Sequence, residues 1–277
     1  MQRPSRPELA LLPGARELLA AHSRELPQRD DLCGAFCASL ALHAAGVEDR
    51  DGEPLDQDSV ALAAGSIISA QPNIEILPCG ERGRRDYRLA IPTVEDTAVS
   101  GTTAAGLLRA VQTLSGGKLA AIPYSGPWSA GTLDGLFDLA CALPRAVTLV
   151  ANLATHHLWG SRPSVTQLLA YLFDGQLEGP PPDWDVGHFA CVVGRVQGPG
   201  GSLYCVADTY PSLGIGGLHL QPQERLARAV ERRDMPAGGM FVVARAEDAP
   251  AVRAGAATLG LAEGLWDNGT VTAETLA

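Results

Sequence analysis

The chain has 277 residues, of which 46% are hydrophobic and 19% are charged, and its formal net charge at pH 7 is −10. This length and apolar fraction are enough to bury a core, which excludes a largely disordered chain. The acidic balance opposes contacts to phosphate, so we expect no nucleic-acid partner.

The N-terminal segment lacks the apolar run of a signal peptide, because Arg3, Arg6 and Arg16 interrupt it. The sequence also contains no stretch of about 18 apolar residues that would span a bilayer. We therefore expect a cytoplasmic protein with no membrane partner, in which the six cysteines stay reduced. Their spacing matches no zinc module, so the sequence predicts neither a metal nor a cofactor.

Helical periodicity dominates the first part of the chain. It predicts helices at 14–26, 33–45, 56–68 and 102–114. Thr102 is a possible cap of the fourth helix. The segment 71–101 is less regular and alternates only at 74–77 and 87–91. The arginines of this segment, which Gly and Asp interrupt, are interpreted as a solvated loop; they are Arg82, Arg84, Arg85 and Arg88.

The rest of the chain mixes strands with helices. Strands are predicted at 119–124, 147–153, 188–196, 203–207 and 239–244, and helices at 131–143, 163–173 and 222–232. Pro163 is expected in the first turn of its helix. With no internal repeat and no long linker, the sequence predicts an α+β fold in one domain over 1–277. That domain comprises a core at 25–245, a helical insertion at 154–186 and a C-terminal helix and tail at 247–277.

Cys33 is the candidate nucleophile. It follows a polar turn and begins an apolar helix, and a helix N-terminus is a position that stabilises a thiolate. Gly34 is expected to let a substrate backbone approach the sulfur closely. Asp30 and Asp31 lie next to the thiol in sequence, and their negative charge is expected to oppose the thiolate.

His188 is the candidate base. It opens an apolar strand, which would anchor it in a sheet while its ring faces the cleft. Asp208 ends the next strand, at the end that a hairpin would bring beside His188. We therefore expect Asp208 to orient the imidazole, and we expect Cys33, His188 and Asp208 to converge in space.

The order of several motifs resembles that of a known family. They are Gln28 with Cys33-Gly-Ala-Phe-Cys37, then Gly187-His188-Phe with apolar residues to Gly194, then Val206-Ala-Asp208 with Gly214 after it. Over about residues 25–245 the chain is similar to papain-like cysteine peptidases of the bacteriocin-processing, double-glycine-leader type and their stand-alone relatives. The resemblance implies a papain-like fold, with N-terminal helices packed against a C-terminal antiparallel sheet. It also implies roles for four residues: Cys33 as nucleophile, His188 as general base, Asp208 as its orienter and Gln28 as an oxyanion-hole donor.

Two groups of residues outside these motifs have alternative interpretations. His156 and His157 follow a predicted strand, and adjacent histidines on a strand point to opposite faces. We therefore expect that they cannot both bind one metal ion without distortion. Three tryptophans in loops either form a wall of the substrate groove or cover the core; they are Trp128, Trp159 and Trp184.

The cysteines near the motifs are expected to be structural. Cys37 lies one helical turn after Cys33, where packing is the better interpretation than a two-thiolate metal site. Cys191 and Cys205 lie on the two strands of the predicted hairpin, where they could face each other as buried thiols.

Three functions stay open at this point. The first is acyl-group chemistry through a thioester at Cys33, on a peptide or a carrier-protein-bound substrate. The second is a natural-product biosynthetic enzyme that acts on a carrier-bound amino acid by transfer, or by elimination and cyclisation, without covalent use of the cysteine. The third is a non-catalytic binding module on the same scaffold. The sequence also leaves open whether a partner subunit completes the cleft.

Overall fold

The structure, a computed structural model, describes residues 4–72 and 74–272, which form eight α-helices and eleven strands. The helices are α1 (Ala15–Glu25), α2 (Cys33–Ala44), α3 (Gln57–Ala64), α4 (Ala104–Leu114), α5 (Ala130–Cys141), α6 (Val165–Asp174), α7 (Gln223–Glu231) and α8 (Ala249–Thr258). The strands are β1 (Glu8–Leu11), β2 (Asp49–Arg50), β3 (Glu53–Pro54), β4 (Ile68–Ser69), β5 (Thr93–Val94), β6 (Leu119–Tyr124), β7 (Thr148–Ala154), β8 (Gly187–Gln197), β9 (Ser202–Ala207), β10 (Leu218–Pro222) and β11 (Gly239–Arg245). Among these helices, none has both the length and the apolar character needed to cross a bilayer.

Seven strands form one antiparallel sheet, which carries the candidate site. The strand order is β10-β9-β8-β7-β11-β6, and β1 pairs with the far end of β8. In the β7–β8 pair, His188 lies opposite Leu153. In the β8–β9 pair, Cys191 lies opposite Ala207. Asp208, which directly follows β9, is therefore brought beside the first residues of β8.

Helices cover both faces of this sheet. Helices α1 to α4 share a buried core with one face, to which Phe189 of β8 belongs. Helices α5, α7 and α8 pack on the opposite face around Phe137. Successive strand residues point to opposite faces, so Phe241 of β11 lies in the first core and Val242 in the second. The predicted α+β fold with an antiparallel sheet is confirmed, but the second helical layer was not predicted from the sequence.

Two strands of the sheet were not predicted either, and their burial explains why. Strand β1 is a four-residue edge strand in which most side chains are exposed, including those of Leu9 and Leu11, so it has no buried apolar face. In β10 the polar residues His219 and Gln221 are buried, whereas Leu218 and Leu220 are only half-buried. This inverts the pattern by which a half-buried strand is recognised.

Two helix starts differ from the prediction because hydroxyl side chains cap them. The hydroxyl of Thr103, and not that of Thr102, accepts a hydrogen bond from the first turn of α4. The hydroxyl of Ser164 does the same for α6, in a reciprocal arrangement with the side chain of its third residue. Pro163 therefore precedes the cap and is not in the first turn of that helix.

Neither of the two alternating stretches in the segment 71–101 forms a strand. A 3₁₀ turn occupies Ile74–Ile76, and the backbone at 87–91 is irregular. The interpretation of its arginines as a solvated loop is wrong for Arg84 and Arg85, which are half-buried, whereas Arg82 and Arg88 are exposed. Arg84 donates to the carbonyl of Pro27 and Arg85 to the carbonyl of Ser69. The bond from Arg84 fastens the segment beside the turn that precedes Cys33.

Candidate active site

Cys33 is the first residue of α2 and lies in the wall of a cleft of about 480 Å³. The residue before it, Leu32, makes no side-chain cap to the helix. In the part of the chain that the structure describes, the N-cap side chain therefore leaves the first backbone N–H groups of α2, at the positive end of the helix dipole, uncapped. The thiol is partly exposed, whereas Ala35 and Phe36 in the same turn are fully buried. Helix α2 thus presents the sulfur to the cleft at its N-terminus, as the sequence predicts.

His188 at the start of β8 is held by Asp208. The distance from His188 Nε2 to Asp208 Oδ1 is 3.0 Å, and both side chains are almost fully buried. A carboxylate only accepts hydrogen bonds, so Nε2–H donates and Nδ1 is the ring nitrogen left for another partner. Cys33, which lines the same cleft as His188, interacts with the ring and contributes to raising the pKa of His188. The three residues that were expected to converge therefore lie together at this site.

The charges of this pair favour an imidazolium at His188. Burial lowers the pKa of His188, but the charge and hydrogen bond of Asp208, together with the interaction with Cys33, outweigh burial and raise that pKa above its usual range. Burial also raises the pKa of Asp208, but the charge of His188 and the hydrogen bonds from His188 and His219 hold it well below its usual range. Both shifts favour the ion pair of an imidazolium at His188 with a carboxylate at Asp208.

Two further histidines, which were not predicted from the sequence, hold Asp208 from other sides. His219 Nε2 lies 3.2 Å from Asp208 Oδ2, and His22 Nε2 lies 2.6 Å from the backbone carbonyl oxygen of Asp208. His219 is fixed in turn by Gln221, whose Nε2 donates to His219 Nδ1 at 3.0 Å. The signal in the sequence is the alternation of His219 and Gln221 with leucines, which places two polar side chains on one face of β10.

Gln28 is buried in the wall of the same cleft. Its Oε1 accepts a hydrogen bond from Thr209 Oγ1 at 2.5 Å, and its backbone N–H donates to the carbonyl oxygen of Thr209 at 3.0 Å. Because Oε1 is engaged, the Nε2 amide group is the end of the side chain left for the cleft. The hydroxyl of Thr209 also lies 3.3 Å from His188 Nε2. Thr209, which no motif indicated, therefore links Gln28 to the His188–Asp208 pair.

Asp30 and Asp31 line the cleft as well, and both carboxylates have partners. Asp31 Oδ2 accepts hydrogen bonds from the backbone N–H and the hydroxyl of Ser69, each at 2.7 Å. Asp30 Oδ1 accepts from the backbone N–H of Arg84 at 2.8 Å, and its Oδ2 lies 3.9 Å from Arg85 Nη1. Burial raises the pKa of Asp30. These contacts offset part of the negative charge that was expected to oppose a thiolate.

Gly34 is required by packing and not by the approach of a substrate. It is buried in the core, and a Cβ atom there would lie 3.1 Å from Thr102 Cβ and 3.2 Å from Phe189 Cδ2. Both distances are tighter than ordinary van der Waals contact. The expectation that Gly34 opens a path to the sulfur is therefore wrong.

The neighbouring cysteines are packing residues. Cys37 is fully buried, and burial raises the pKa of its thiol. Cys191 Sγ lies 3.8 Å from the backbone carbonyl oxygen of Cys37, so these two cysteines meet between α2 and β8. The hairpin register places Cys205 opposite Gly194. Cys191 and Cys205 therefore do not face each other, in contrast to the arrangement suggested by the sequence.

Aromatic rings surround the imidazole of His188. The ring of Trp184, which lines the cleft, lies 4.9 Å from that of His188 at an interplanar angle of 64°. The ring of Tyr210 is nearly parallel to the imidazole at 6.4 Å. Trp128 and Trp159 are buried outside this cleft. Trp184 is thus the loop tryptophan that forms a wall of the groove, whereas the other two cover the core.

Arg232, which was not predicted from the sequence, is a buried cation in the wall of the cleft. It follows α7 in the left-handed conformation, with φ 46°. Its Nη1 donates to Asn152 Oδ1 at 2.6 Å, and Asn152 Nδ2 donates to the backbone carbonyl oxygen of His188 at 3.3 Å. Burial lowers the pKa of Arg232 to about 10, whereas the charges of Cys33 and Asp234 raise it. The guanidinium therefore remains charged at neutral pH.

His156 and His157 do not point to opposite faces. They lie in the 3₁₀ turn Thr155–His157, because the chain leaves β7 at Ala154. His156 Nε2 lies 2.9 Å from Asp234 Oδ2, and His157 Nε2 lies 3.1 Å from Asp234 Oδ1. The two ring centroids are 4.1 Å apart. The expectation that these histidines cannot meet one ligand is therefore wrong.

The sequence matches a family of unknown function (DUF6885) over residues 12–267, which is most of the chain. The matched span includes Cys33, His188, Asp208 and Gln28. No curated protein matches the chain.

Proposed function

The chain belongs to the family of unknown function DUF6885, and we propose that it is a cysteine enzyme with a papain-like site that cleaves or transfers acyl groups. The observation that carries the proposal is the position of His188, which is hydrogen-bonded to Asp208 and lines the same cleft as Cys33. An imidazolium held by a carboxylate, beside a thiol at a helix N-terminus, is the arrangement that generates a reactive thiolate.

In the proposed reaction the sulfur of Cys33 attacks the carbonyl carbon of a peptide, amide or thioester bond. A C–S bond forms and the carbonyl oxygen becomes an oxyanion, for which the Gln28 amide and the N-terminus of α2 are the nearest donors. When the oxyanion collapses, the bond to the leaving group breaks and His188 gives its proton to the leaving nitrogen or sulfur. The products of this half-reaction are a thioester on Cys33 and a neutral His188.

In the second half-reaction the neutral imidazole acts as a base. It takes a proton from water or from an acceptor amine, which attacks the thioester carbonyl and releases the sulfur of Cys33. Asp208 holds the ring in the tautomer that this proton transfer needs. A cleft of about 480 Å³ is within the usual range for a small-molecule site, which suits the acyl part of a peptide or of a carrier-bound group.

The proposal is tested by labelling with iodoacetamide at neutral pH, followed by peptide mapping. We expect Cys33 to be modified before Cys79, although Cys79 is the more exposed thiol. His188→Ala should remove this preference, and Cys79→Ser serves as a matched control that leaves it unchanged. Labelling in proportion to exposure, with Cys79 modified first, would count against a reactive cysteine.

Intact-mass measurement during turnover distinguishes the proposed function from the two alternatives, a biosynthetic enzyme that does not use the thiol covalently and a non-catalytic binding module. An acyl adduct on Cys33, absent from Cys33→Ala, is expected with a small acyl thioester. An active preparation that forms no adduct, and in which Cys33→Ser keeps its activity, would instead favour the biosynthetic enzyme that does not use the thiol covalently. A chain with neither adduct formation nor preferential labelling would be the non-catalytic module.

A further inference from the structure

Arg232 is a buried cation to which the described residues offer no acidic partner in an ion pair. The side chain is only 4% exposed. Its Nη1 donates to the neutral amide of Asn152, and its Nε has no hydrogen-bond partner within 4–72 and 74–272. Burying a guanidinium without a counter-ion is unfavourable, so such a residue is retained for a ligand or for a reacting group.

The guanidinium is held in a fixed place next to the reacting residues. A Cβ atom on Gly187, which directly precedes His188, would lie 2.8 Å from Arg232 Nη2. The glycine therefore lets the guanidinium lie against the backbone that carries the base. Asn152 is itself held by Trp266, whose Nε1 donates to Asn152 Oδ1 at 3.0 Å. The guanidinium is thus held by the amide of Asn152, and it lines the same cleft as Cys33.

We infer that Arg232 recognises a carboxylate carried by the acyl substrate, close to the carbonyl that Cys33 attacks. A planar guanidinium matches the two oxygens of a carboxylate, and a bound carboxylate would supply the missing counter-ion. Elsewhere the cleft is lined by the acidic residues Asp30 and Asp31, which would direct an anion toward Arg232. The inference deepens the proposed function and rests on it.

The test compares two alkylating reagents of similar size, iodoacetate and iodoacetamide, on the wild-type chain and on Arg232→Gln. In both cases the sulfur of Cys33 displaces iodide, but only iodoacetate carries a carboxylate. We expect the ratio of the iodoacetate rate to the iodoacetamide rate to fall on the order of tenfold in Arg232→Gln. Arg232→Lys, which keeps the charge, should retain part of the ratio. Arg233→Gln is the matched control, because Arg233 is adjacent in sequence and 84% exposed.

Each result has a defined meaning. An unchanged ratio in a folded Arg232→Gln variant overturns the inference and leaves the proposed function intact. Equal slowing of both reagents also overturns it, since Arg232 would then act on the sulfur and not on a substrate anion. If neither reagent modifies Cys33 of the wild type faster than the other cysteines, the result contradicts the proposed function itself. Protection against iodoacetate by acetate supports a carboxylate, whereas protection only by inorganic phosphate would reassign the site to phosphate.

A second cluster, outside the reacting residues, has the geometry of a metal site. The ligand atoms of His156, His157 and Asp234 all lie within 4.8 Å of one another. In addition, His156 Nδ1 lies within ion-pair distance of Asp185 Oδ1, 2.6 Å away, although the angle between them is not that of a hydrogen bond. A carboxylate on one ring nitrogen is the usual way to orient a histidine that binds a metal through the other.

We propose that His156, His157 and Asp234 bind one divalent transition-metal cation, for which Zn²⁺ is the best fit. Two imidazoles and a carboxylate are suitable zinc ligands, and three protein ligands leave a fourth position for water. Asp185 is next to Trp184, and Asp234 is next to Met235; both neighbours line the cleft. The cation would therefore join two segments of the cleft rim.

Calorimetric titration of Cys33→Ala with ZnCl₂ tests this site without interference from the reactive thiol. We expect one Zn²⁺ per chain, binding weakened about 10–100-fold by Asp185→Asn, and loss of binding in the double variant His156→Asn/Asp234→Asn. Asp174→Asn, at an exposed aspartate outside the cluster, is the matched control. Binding that persists in the double variant, or Co²⁺ spectra with thiolate charge-transfer bands, would overturn the proposal.

Discussion

The hydroxyl of Thr209 donates a hydrogen bond to Oε1 of Gln28 at 2.5 Å and lies 3.3 Å from Nε2 of His188. One side chain therefore contacts both the proposed oxyanion donor and the proposed base. Because the hydroxyl proton is used on Oε1, the amide of Gln28 cannot rotate without losing this bond. The orientation of the amide is thus set by the same loop that carries Asp208.

Gln28→Ala separates oxyanion stabilisation from thiol reactivity. Acylation of Cys33 by an activated ester is expected to fall about 10²–10³-fold, since one oxyanion donor is removed. Alkylation by iodoacetamide develops no oxyanion, so its rate is expected to stay unchanged. Both rates are measured by quenching the reaction at timed intervals and determining the fraction of modified protein from its intact mass. Thr209→Val should give a smaller loss of acylation, and equal loss in both assays would assign Gln28 a purely structural role.

Asp208→Asn tests the ion pair through the pH dependence of stability. The pKa of His188 is raised above its usual 6.5, so its contribution is complete below about pH 6.5 and is lost as pH rises through the folded-state value. The pKa of Asp208 is lowered below its usual 3.8, so its contribution is present above about pH 3.8 and is lost as pH falls through the folded-state value. The ion pair therefore stabilises the fold most between about pH 3.8 and about pH 6.5.

Within that window we expect Asp208→Asn to lower the free energy of unfolding by about 3 kcal/mol, as for removal of one partner from a buried pair. The difference from the wild type should shrink as pH rises, because the wild-type imidazolium itself then loses its proton. Urea unfolding at about pH 5.5 and at strongly alkaline pH measures both values. A difference that is independent of pH would show that the two side chains do not form an ion pair.

His219 is expected to act as a positioning residue through Asp208 Oδ2. His219→Phe removes a hydrogen bond that lowers the pKa of Asp208, so Asp208 should take up a proton at higher pH than in the wild type. In a plot of the alkylation rate of Cys33 against pH, the fall in rate on the acid side is therefore expected to shift to higher pH. The variant should lose more of its rate at low pH than at neutral pH. His219→Gln, which keeps a donor, should restore the profile in part. A uniform loss of rate at every pH would indicate a structural defect.

Residues whose role depends on local sequence were the ones that could be predicted. Cys33 begins a helix whose apolar composition is unmistakable, and the register of the β8–β9 hairpin follows from two apolar runs joined by glycines. The register of this hairpin is sufficient to bring Asp208 beside His188. The chain order of the motifs supplied the rest of the prediction.

Residues that reach the site only through tertiary contacts could not be predicted. His219 lies on a strand whose buried face is polar, so the alternation of polar residues with leucines does not reveal that His219 is the buried residue. Arg232 follows a helix as one basic residue among several, and only the folded chain shows that it is buried while Arg233 is exposed. His156 and His157 depend on where β7 ends, and a shift of one or two residues at a strand end changes which way their rings point.

Gly34→Ala distinguishes packing from access at the start of α2. The added methyl group would contact Thr102 Cβ at 3.1 Å and Phe189 Cδ2 at 3.2 Å, so the surrounding core must move to accept it. We expect the free energy of unfolding to fall by about 1–3 kcal/mol, as for overpacking of a core. Gly131→Ala in the first turn of α5, where the nearest atom is 3.9 Å away, is the matched control and should be neutral or stabilising by up to about 1 kcal/mol. If Gly34→Ala were as stable as this control but slowed alkylation by bulky reagents, Gly34 would serve the approach of substrate after all.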